Sequence, residues 1–381
     1  MKKECLVKTL VIEIILMFIC LSIAPSFAQH IEKSYQSFRG TTITVDDEPG
    51  DADFTSIKEA LNFSNPGDTI EVYSGIYRED GIWITKENVS LLGISHELGD
   101  GNDSEKPFIK PDGTEIVIIV EASGVIVSNF RIEKLSSSTC ITLGGDEPNH
   151  NQNNNTISDC YILNPYGSGI SVNRIGLDIN IINNTITDCN YDGISADSLD
   201  FNITGNVIIG IDFDGIDIGY SGGKNISYNY ITSCKNGIRM QGSNNIIYGN
   251  DIRSCHVGIL NYGGSKNIIH YNNIEDCNIG FSNEGGGRNR IIKNNFQECW
   301  NIFPWFKISF LDFILNKDKW IGNYWEIWRG IAPKAVPSPK IIPGIMYLAI
   351  PIIGGELPLV IPIPRFEYDW QTVNEPYDIG V

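Results

Sequence analysis

The chain has 381 residues, nine of them cysteine, and a formal net charge of −18. A surface this acidic repels phosphate backbones and anionic lipid alike. It excludes nucleic acid as a partner and leaves cations, glycans or a basic protein. A chain of this length buries an extended core without disulfide staples.

Lys2, Lys3 and Lys8 lead into an apolar run from Leu10 to Ile23, and Ser26-Phe27-Ala28 carries the small residues of an export cleavage site. The run is short for a membrane span, and Glu13 interrupts it. Residues 1–28 therefore read as a signal peptide and 29–41 as a linker. The expected location is secreted, extracellular or at the cell surface, or periplasmic where the host has an outer membrane.

Strand-like runs follow at Ile43–Val45, Thr69–Val72, Ile82–Ile84, Val89–Leu92, Ile116–Val120, Val125–Val127 and Cys140–Leu143. One helix interrupts them. Phe54, Ile57, Ala60 and Leu61 share a face, Asp53 offers an N-cap, and Ser56-x-x-Glu59 offers a capping box. Such a helix suits the open first coil, where it would shield unpaired strand edges.

From residue 155 a repeat dominates. One slot holds Asn155, Asn184, Asn206, Asn229, Asn250, Asn272 and Asn294. Five residues later a second holds Cys160, Cys189, Ile211, Cys234, Cys255, Cys277 and Cys299. Between them lie Ile157, Ile186, Ile208, Ile231, Ile252, Ile274 and Phe296, and Gly193, Gly215, Gly237, Gly258 and Gly280 close the unit. Apolar residues at alternate positions over such short runs have the period of strands, and Asn, Gly and β-branched residues disfavour helix. Units of about 22 residues bury their apolar faces only by stacking on one another. The fold class is thus all-β: a single-stranded right-handed parallel β-helix over 42–300, with an N-terminal capping helix. On this reading the Asn column forms an amide ladder at one corner and supplies its left-handed backbone, and Gly supplies it at the opposite corner. The polar Asp146–Asn155 stretch would be a loop that explains the 29-residue step from Asn155 to Asn184. Beyond residue 300 nine aromatic residues crowd together, so 301–381 reads as an irregular aromatic and Pro-rich cap on the last coils. Within it, residues 341–363 are apolar, but Pro343, Pro351, Pro358 and Pro362 argue for extended segments over a membrane helix. The mature chain is expected to be a monomer without a membrane span.

Val45-Asp46-Asp47, Asp53-Phe54-Thr55-Ser56-Ile57-Lys58-Glu59-Ala60 and Gly67-Asp68-Thr69-Ile70 resemble the start of pectin-lyase-like β-helix proteins. The repeats, with Asn323-Tyr324-Trp325, Asp369-Trp370 and Glu375-Pro376-Tyr377-Asp378-Ile379, resemble the NosD family of periplasmic copper-binding proteins and its surface-protein relatives. That resemblance implies copper as a ligand, and copper needs soft or imidazole groups that converge. The supply is thin: His30, His96, His150, His256 and His270 show no pair at ligand spacing, and Ile211 in the cysteine column marks that slot as aliphatic. Hydrolases of the pectin type carry Asn-Thr-Asp, Asp-Asp, Gly-His-Gly and Arg-Ile-Lys motifs. Here Asp46-Asp47 precedes the helix cap, and Arg131-Ile132-Glu133 reverses the last charge.

The remaining candidates sit at one turn of the repeat. Stacking aligns Asp192 beneath Asp214, Lys235 and His256 above Asp212, and Arg239 above Asp217. Asp192, Asp214, Asp217, Lys235, Arg239 and His256 form a candidate catalytic set, and Asp192, Asp212 and Asp214 a candidate calcium set, since paired carboxylates raise one another's pKa. Plain ion pairing between coils competes with both. The sequence thus favours a structural or carbohydrate-binding module, with a polysaccharide or cell-surface glycan as partner. A polysaccharide lyase or hydrolase acting on acidic glycans is the alternative, and copper delivery a second.

Overall fold

A short β-branched strand cannot satisfy its own backbone groups, so each one pairs with the strands a coil above and below. A computed structural model describes residues 40–99, 103–144, 152–173, 177–198, 200–299, 318–321, 324–325, 344–352 and 355–363. The expected signal peptide, all of the linker but residues 40 and 41, and most of the C-terminal cap lie outside these residues. The chain winds as a right-handed parallel solenoid of about 22 residues per turn, with parallel sheets of 12, 11 and 9 strands. Each complete coil gives one strand to each sheet, as Phe201–Thr204, Val207–Ile209 and Asp214–Ile218 do, and the end coils give fewer. Register places like on like: Ile181, Ile203, Ile226 and Ile247 stack in the first sheet, and Ile186, Ile208, Ile231 and Ile252 in the second. Ile194, Ile216, Ile238 and Ile259 do so in the third. All are fully buried, so the core is one continuous column of isoleucine.

The helix Ile57–Phe63 packs Ile57, Ala60 and Leu61 onto the first rungs. Ser56 caps it by accepting from the Glu59 N–H at 3.3 Å. Asp53 does not cap it, because its carboxylate is taken by the backbone and hydroxyl of Thr44, both at 2.9 Å. Glu79, from the next coil, supplies the acceptor instead, taking the N–H groups of Ile57 and Lys58. The helix macrodipole favours a carboxylate there.

Asn184, Asn206, Asn229, Asn250, Asn272 and Asn294 form the expected amide ladder between the first and second sheets, each fully buried. The left-handed conformation falls on the residue before each, as at Asn183 (φ 55°), Tyr228 (φ 55°) and Tyr271 (φ 55°), and not on the ladder Asn itself. A second left-handed position precedes the cysteine slot, at Asp188 (φ 52°), Ser233 (φ 58°) and Asp276 (φ 51°). The closing glycines are needed for closeness: a Cβ on Gly193 or Gly215 would lie 2.7 Å from the carbonyl oxygen of the next coil's glycine.

The structure moves the first unit of the repeat by one sheet. Ile157 pairs with Ile181 and Cys160 stacks on Asn184, whose Oδ1 accepts the Cys160 N–H at 3.0 Å. The 29-residue step therefore joins two different columns and needs no loop. The polar Asp146–Asn155 stretch falls earlier, between the strands Ile141–Leu143 and Thr156–Ser158, and its residues 146–151 lie outside the described ones. The ladder also continues past residue 300, because Lys319–Ile321 and Tyr324–Trp325 extend the first and second sheets by one rung. Asp318 at its head accepts from the Asn289 N–H at 2.9 Å and closes a second amide column of Asn245, Asn267 and Asn289. Residues Gly344–Ile352 and Gly355–Ile363 pair as two antiparallel strands. No helix among the described residues is long and apolar enough to cross a membrane.

All seven described cysteines are free and buried. In the ladder each thiol leans on the carbonyl two residues back, as Cys160 does on Ser158 at 3.3 Å and Cys234 on Thr232 at 3.3 Å. Burial pushes the Cys160 thiol up to about 11 and Cys189 up to about 12, which makes them poor thiolate ligands. Because Ile211 fills the same column beneath Cys234, Cys234→Val is expected to shift stability by less than about 1.5 kcal/mol in chemical denaturation.

Candidate functional site

The turn from the second sheet into the third repeats in sequence. Asn190-Tyr191-Asp192-Gly193 and Asp212-Phe213-Asp214-Gly215 occupy successive coils, and the next coil passes the same corner one residue shorter, as Lys235-Asn236-Gly237. The glycine must hug the coil above, so the preceding aspartate is drawn against the sheet while the aromatic residue is turned outward. Tyr191 and Phe213 are half exposed and stack at 5.8 Å with an interplanar angle of 20°. The Lys235 ammonium lies over the Phe213 ring at 4.8 Å.

Behind this stack runs a polar row. Asp192 Oδ1 accepts the Asp214 N–H at 3.2 Å, and Asn236 donates to Asp214 Oδ1 at 2.6 Å. On the outer face of the third sheet Asp217 pairs with Arg239 above it, with Nη1 to Oδ1 at 2.8 Å, and Arg239 Nε lies 3.9 Å from Asp214. Arg239 also faces the exposed Tyr262 ring at 5.2 Å. In the orientation that satisfies its neighbours, the Gln241 amide donates to the Tyr220 hydroxyl at 2.9 Å and accepts from Arg239.

Burial pushes the Asp192 carboxyl up to about 7, with the charges of Asp214 and Asp217 adding to the effect. Burial also raises Asp214 and Asp217, despite the bond from Asn236 and the cation of Arg239. A buried cation lies inside the sheet: Lys224 donates to Ala196 O at 3.3 Å, and burial lowers its ammonium to about 8 against the pull of Asp197 and Asp217. The row thus holds a carboxyl that is half protonated near neutral pH beside carboxylates paired to arginine.

Four of the sequence candidates therefore meet, namely Asp192, Asp214, Asp217 and Arg239, and Lys235 borders them through Phe213. His256 and Asp212 do not join them. Both are exposed in the outer column, and His256 Nδ1 is 2.9 Å from the Asn278 amide. Asp192, Asp212 and Asp214 do not bring their oxygens to one point. Among the described residues the one set of acidic, histidine or cysteine ligand atoms that converges is that of Asp46, Asp47, Glu48 and Glu97. Sequence reasoning missed the aromatic stack, although Tyr191 and Phe213 each precede an Asp-Gly pair. It also missed Lys224, which interrupts the column otherwise filled by Asn245 and Asn267.

The pH response of this row follows from Asp192. An unfolded aspartate ionises near 3.8, whereas the folded one keeps its proton to about 7. The folded state is thus favoured by this group below pH 4, and the benefit is lost as pH rises to about 7. Asp192→Asn is expected to match the native chain in Tm at acid pH, to gain on it between pH 4 and 7, and to hold a constant advantage above. Thermal melts across that range read the difference directly.

Three stacked parallel sheets, a buried isoleucine column and one strand per sheet per coil define a right-handed parallel β-helix. The family model described as right handed beta helix region matches residues 193–303, the most regular coils. Among solved structures the chain is similar to a lacto-N-biosidase from Eubacterium ramulus, with 13% identity, a TM-score of 0.55 and coverage of 76% of this chain and 64% of that one. It is also similar to tailspike protein 2 of Escherichia coli O157:H7 bacteriophage CAB120, with 10% identity, a TM-score of 0.49 and coverage of 71% and 40%. XylC in complex with xylose is a third, at 14% identity, a TM-score of 0.48 and coverage of 67% and 69%. The chain spans under two thirds of the biosidase and of the tailspike. No curated protein matches it.

Proposed function

We propose that this chain binds a polysaccharide along the outer face of the third sheet, exported by the signal peptide expected at residues 1–28. The observation that carries this reading is the exposed Tyr191–Phe213 stack beside the partly buried row of Asp192, Asp214, Asn236, Asp217 and Arg239. Flat aromatic faces take sugar rings, and a few fixed polar groups choose among hydroxyls and orient the chain. The parallel ladder holds both in place, so little ordering is left for binding to impose. Among the similar structures, the names of the biosidase and of the xylose complex speak of sugars, but that likeness concerns the fold, and the reading rests on the side chains. A glycan array probed with the full chain tests it. Glycan binding is expected, and Phe213→Ala should weaken it at least about tenfold while leaving the melting temperature within a degree or two, as expected for an exposed ring worth about 1.5 kcal/mol. An array that stays blank at high protein concentration, or one unchanged by Phe213→Ala, rejects the reading.

One observation favours a catalytic variant of the same site. Asp192 with a pKa of about 7 next to Asp214 provides a proton donor at neutral pH, the condition for general-acid cleavage of a glycosidic bond. Release of oligosaccharides from an acidic polysaccharide, abolished in Asp192→Asn with binding retained, would establish it. Binding without release leaves the module reading in place.

A further inference from the structure

We infer that Asp46, Asp47, Glu48 and Glu97 form a calcium site at the N-terminal end of the solenoid, independent of the glycan face. The first three follow the strand Thr42–Val45, and Glu97 follows Ser90–Gly93, two rungs higher in the same sheet. Each offers a carboxylate oxygen, and the four oxygens lie within 4.8 Å of one another. A cluster of acidic groups alone is common on a surface. This one has a buried member that lacks a partner: Asp46 is 1% exposed, and its Oδ2 receives no hydrogen bond. Asp47 Oδ1 is likewise buried and unpartnered, although Asp47 Oδ2 is fixed by the Ile76 N–H at 2.9 Å. Among the described residues no lysine or arginine pairs with any of the four. An orphaned carboxylate oxygen in the interior is costly, and it points to a missing positive partner.

The donors identify the partner. All four are hard oxygens, which suit calcium or magnesium over copper or zinc. Calcium accepts about six to eight oxygens in a flexible shell and is readily held by several carboxylates at once, whereas magnesium keeps most of its water and is seldom held in an all-protein cage. Four carboxylates converging from two loops fit the larger ion. Bound calcium would tie the loop that leads into the capping helix to a loop two coils away, closing the end of the ladder where strands lack neighbours.

The test is calorimetric titration of calcium chloride into chelator-treated full-length chain, with magnesium chloride as the comparison. One calcium per chain is expected, with a rise in Tm of about 5 °C at saturating calcium. Glu97→Gln should weaken binding at least tenfold and remove the Tm rise while leaving the circular dichroism spectrum unchanged. Asp46→Asn should do the same, and Glu97→Gln keeps the test decisive if that buried change impairs folding. Asp214→Asn should leave calcium binding intact. Absence of binding at millimolar calcium, binding unchanged in Glu97→Gln, loss of binding in Asp214→Asn, or equal affinity for magnesium would each overturn the assignment.

Discussion

Asn229→Ala is expected to lower the unfolding free energy by about 3 kcal/mol, because a buried backbone N–H loses its partner and a void opens in the ladder. Asn229 Oδ1 accepts from the Asn206 backbone N–H at 2.9 Å and from its side-chain amide at 3.0 Å. Asn229 Nδ2 donates to Ile203 O at 2.9 Å and to Asn250 Oδ1 at 2.9 Å. The neighbouring side chains keep other bonds: Asn206 Nδ2 still reaches Ile181 O at 2.9 Å, and Asn250 Oδ1 still accepts the Asn229 N–H at 3.0 Å. The Asn206 N–H has no such reserve, whereas the Ile203 carbonyl, inside the strand Phe201–Thr204, keeps its ladder with Asn225–Ser227. That orphan costs about 1–3 kcal/mol, and the void adds to it. Asn229→Asp should be worse, since a carboxylate cannot donate to Ile203 O and would sit uncompensated in the core. The control lies on the outer face, where Asn202 donates to Asn180 at 3.2 Å in an exposed ladder. Asn202→Ala should cost under about 1 kcal/mol. Equilibrium denaturation of the three variants decides the matter, and equal losses for Asn229→Ala and Asn202→Ala would remove the buried ladder from the account of stability.

The ladder was legible in the sequence because a period of about 22 residues survives any error in detail. The register of its first unit was not. Asn155-Thr156-Ile157-Ser158-Asp159-Cys160 and Asn184-Thr185-Ile186-Thr187-Asp188-Cys189 differ at a single position, and they share a local structure. Both are short strands ending in a left-handed Asp (φ 56° and 52°) and a cysteine thiol bonded two residues back. Yet Ile157 belongs to the first sheet and Ile186 to the second. Every corner poses the same problem of reversing a strand without exposing its amides, so the same hexapeptide solves it twice. Only the long-range pairing tells the two apart.

The candidate site divides along the same line. Asp192, Asp214, Asp217 and Arg239 were found because they lie within the regular register. Asp212 and His256 were grouped with them because stacking in one column says nothing of whether that column faces the sheet or solvent. The carboxylates of Asp46 to Glu48 and Glu97 were not connected, because the upstream coils are too irregular for a period to place Glu97 over the first rung. The glycines were placed correctly and explained wrongly, by torsion where contact decides.

That distinction yields the other large effect. Gly237→Ala is expected to cost about 3 kcal/mol through contact alone. A Cβ there would stand 2.6 Å from the Gly258 carbonyl oxygen and 2.5 Å from Ile252 Cγ2. Neither can withdraw. The carbonyl belongs to the third-sheet strand Val257–Asn261, held in register at Ile238↔Ile259, and Ile252 is fully buried in the second sheet. The added methyl must therefore wedge two coils apart and lengthen the ladder bonds on both sides of it. The torsion at Gly237 lies outside the left-handed region, so alanine would otherwise gain about 0.4–1 kcal/mol by restricting the unfolded chain. Gly223 reverses the situation. Its φ is +85° and nothing lies within 4 Å of the site of a Cβ, so Gly223→Ala meets strain without contact and should cost about 1–2 kcal/mol. If Gly237→Ala proves no more destabilising than Gly223→Ala in urea denaturation, the close approach of successive coils does not explain the glycine column. A loss clearly larger, accompanied by faster amide exchange at Ile238 and Ile259 in the third sheet, would locate the cost at the contact between coils.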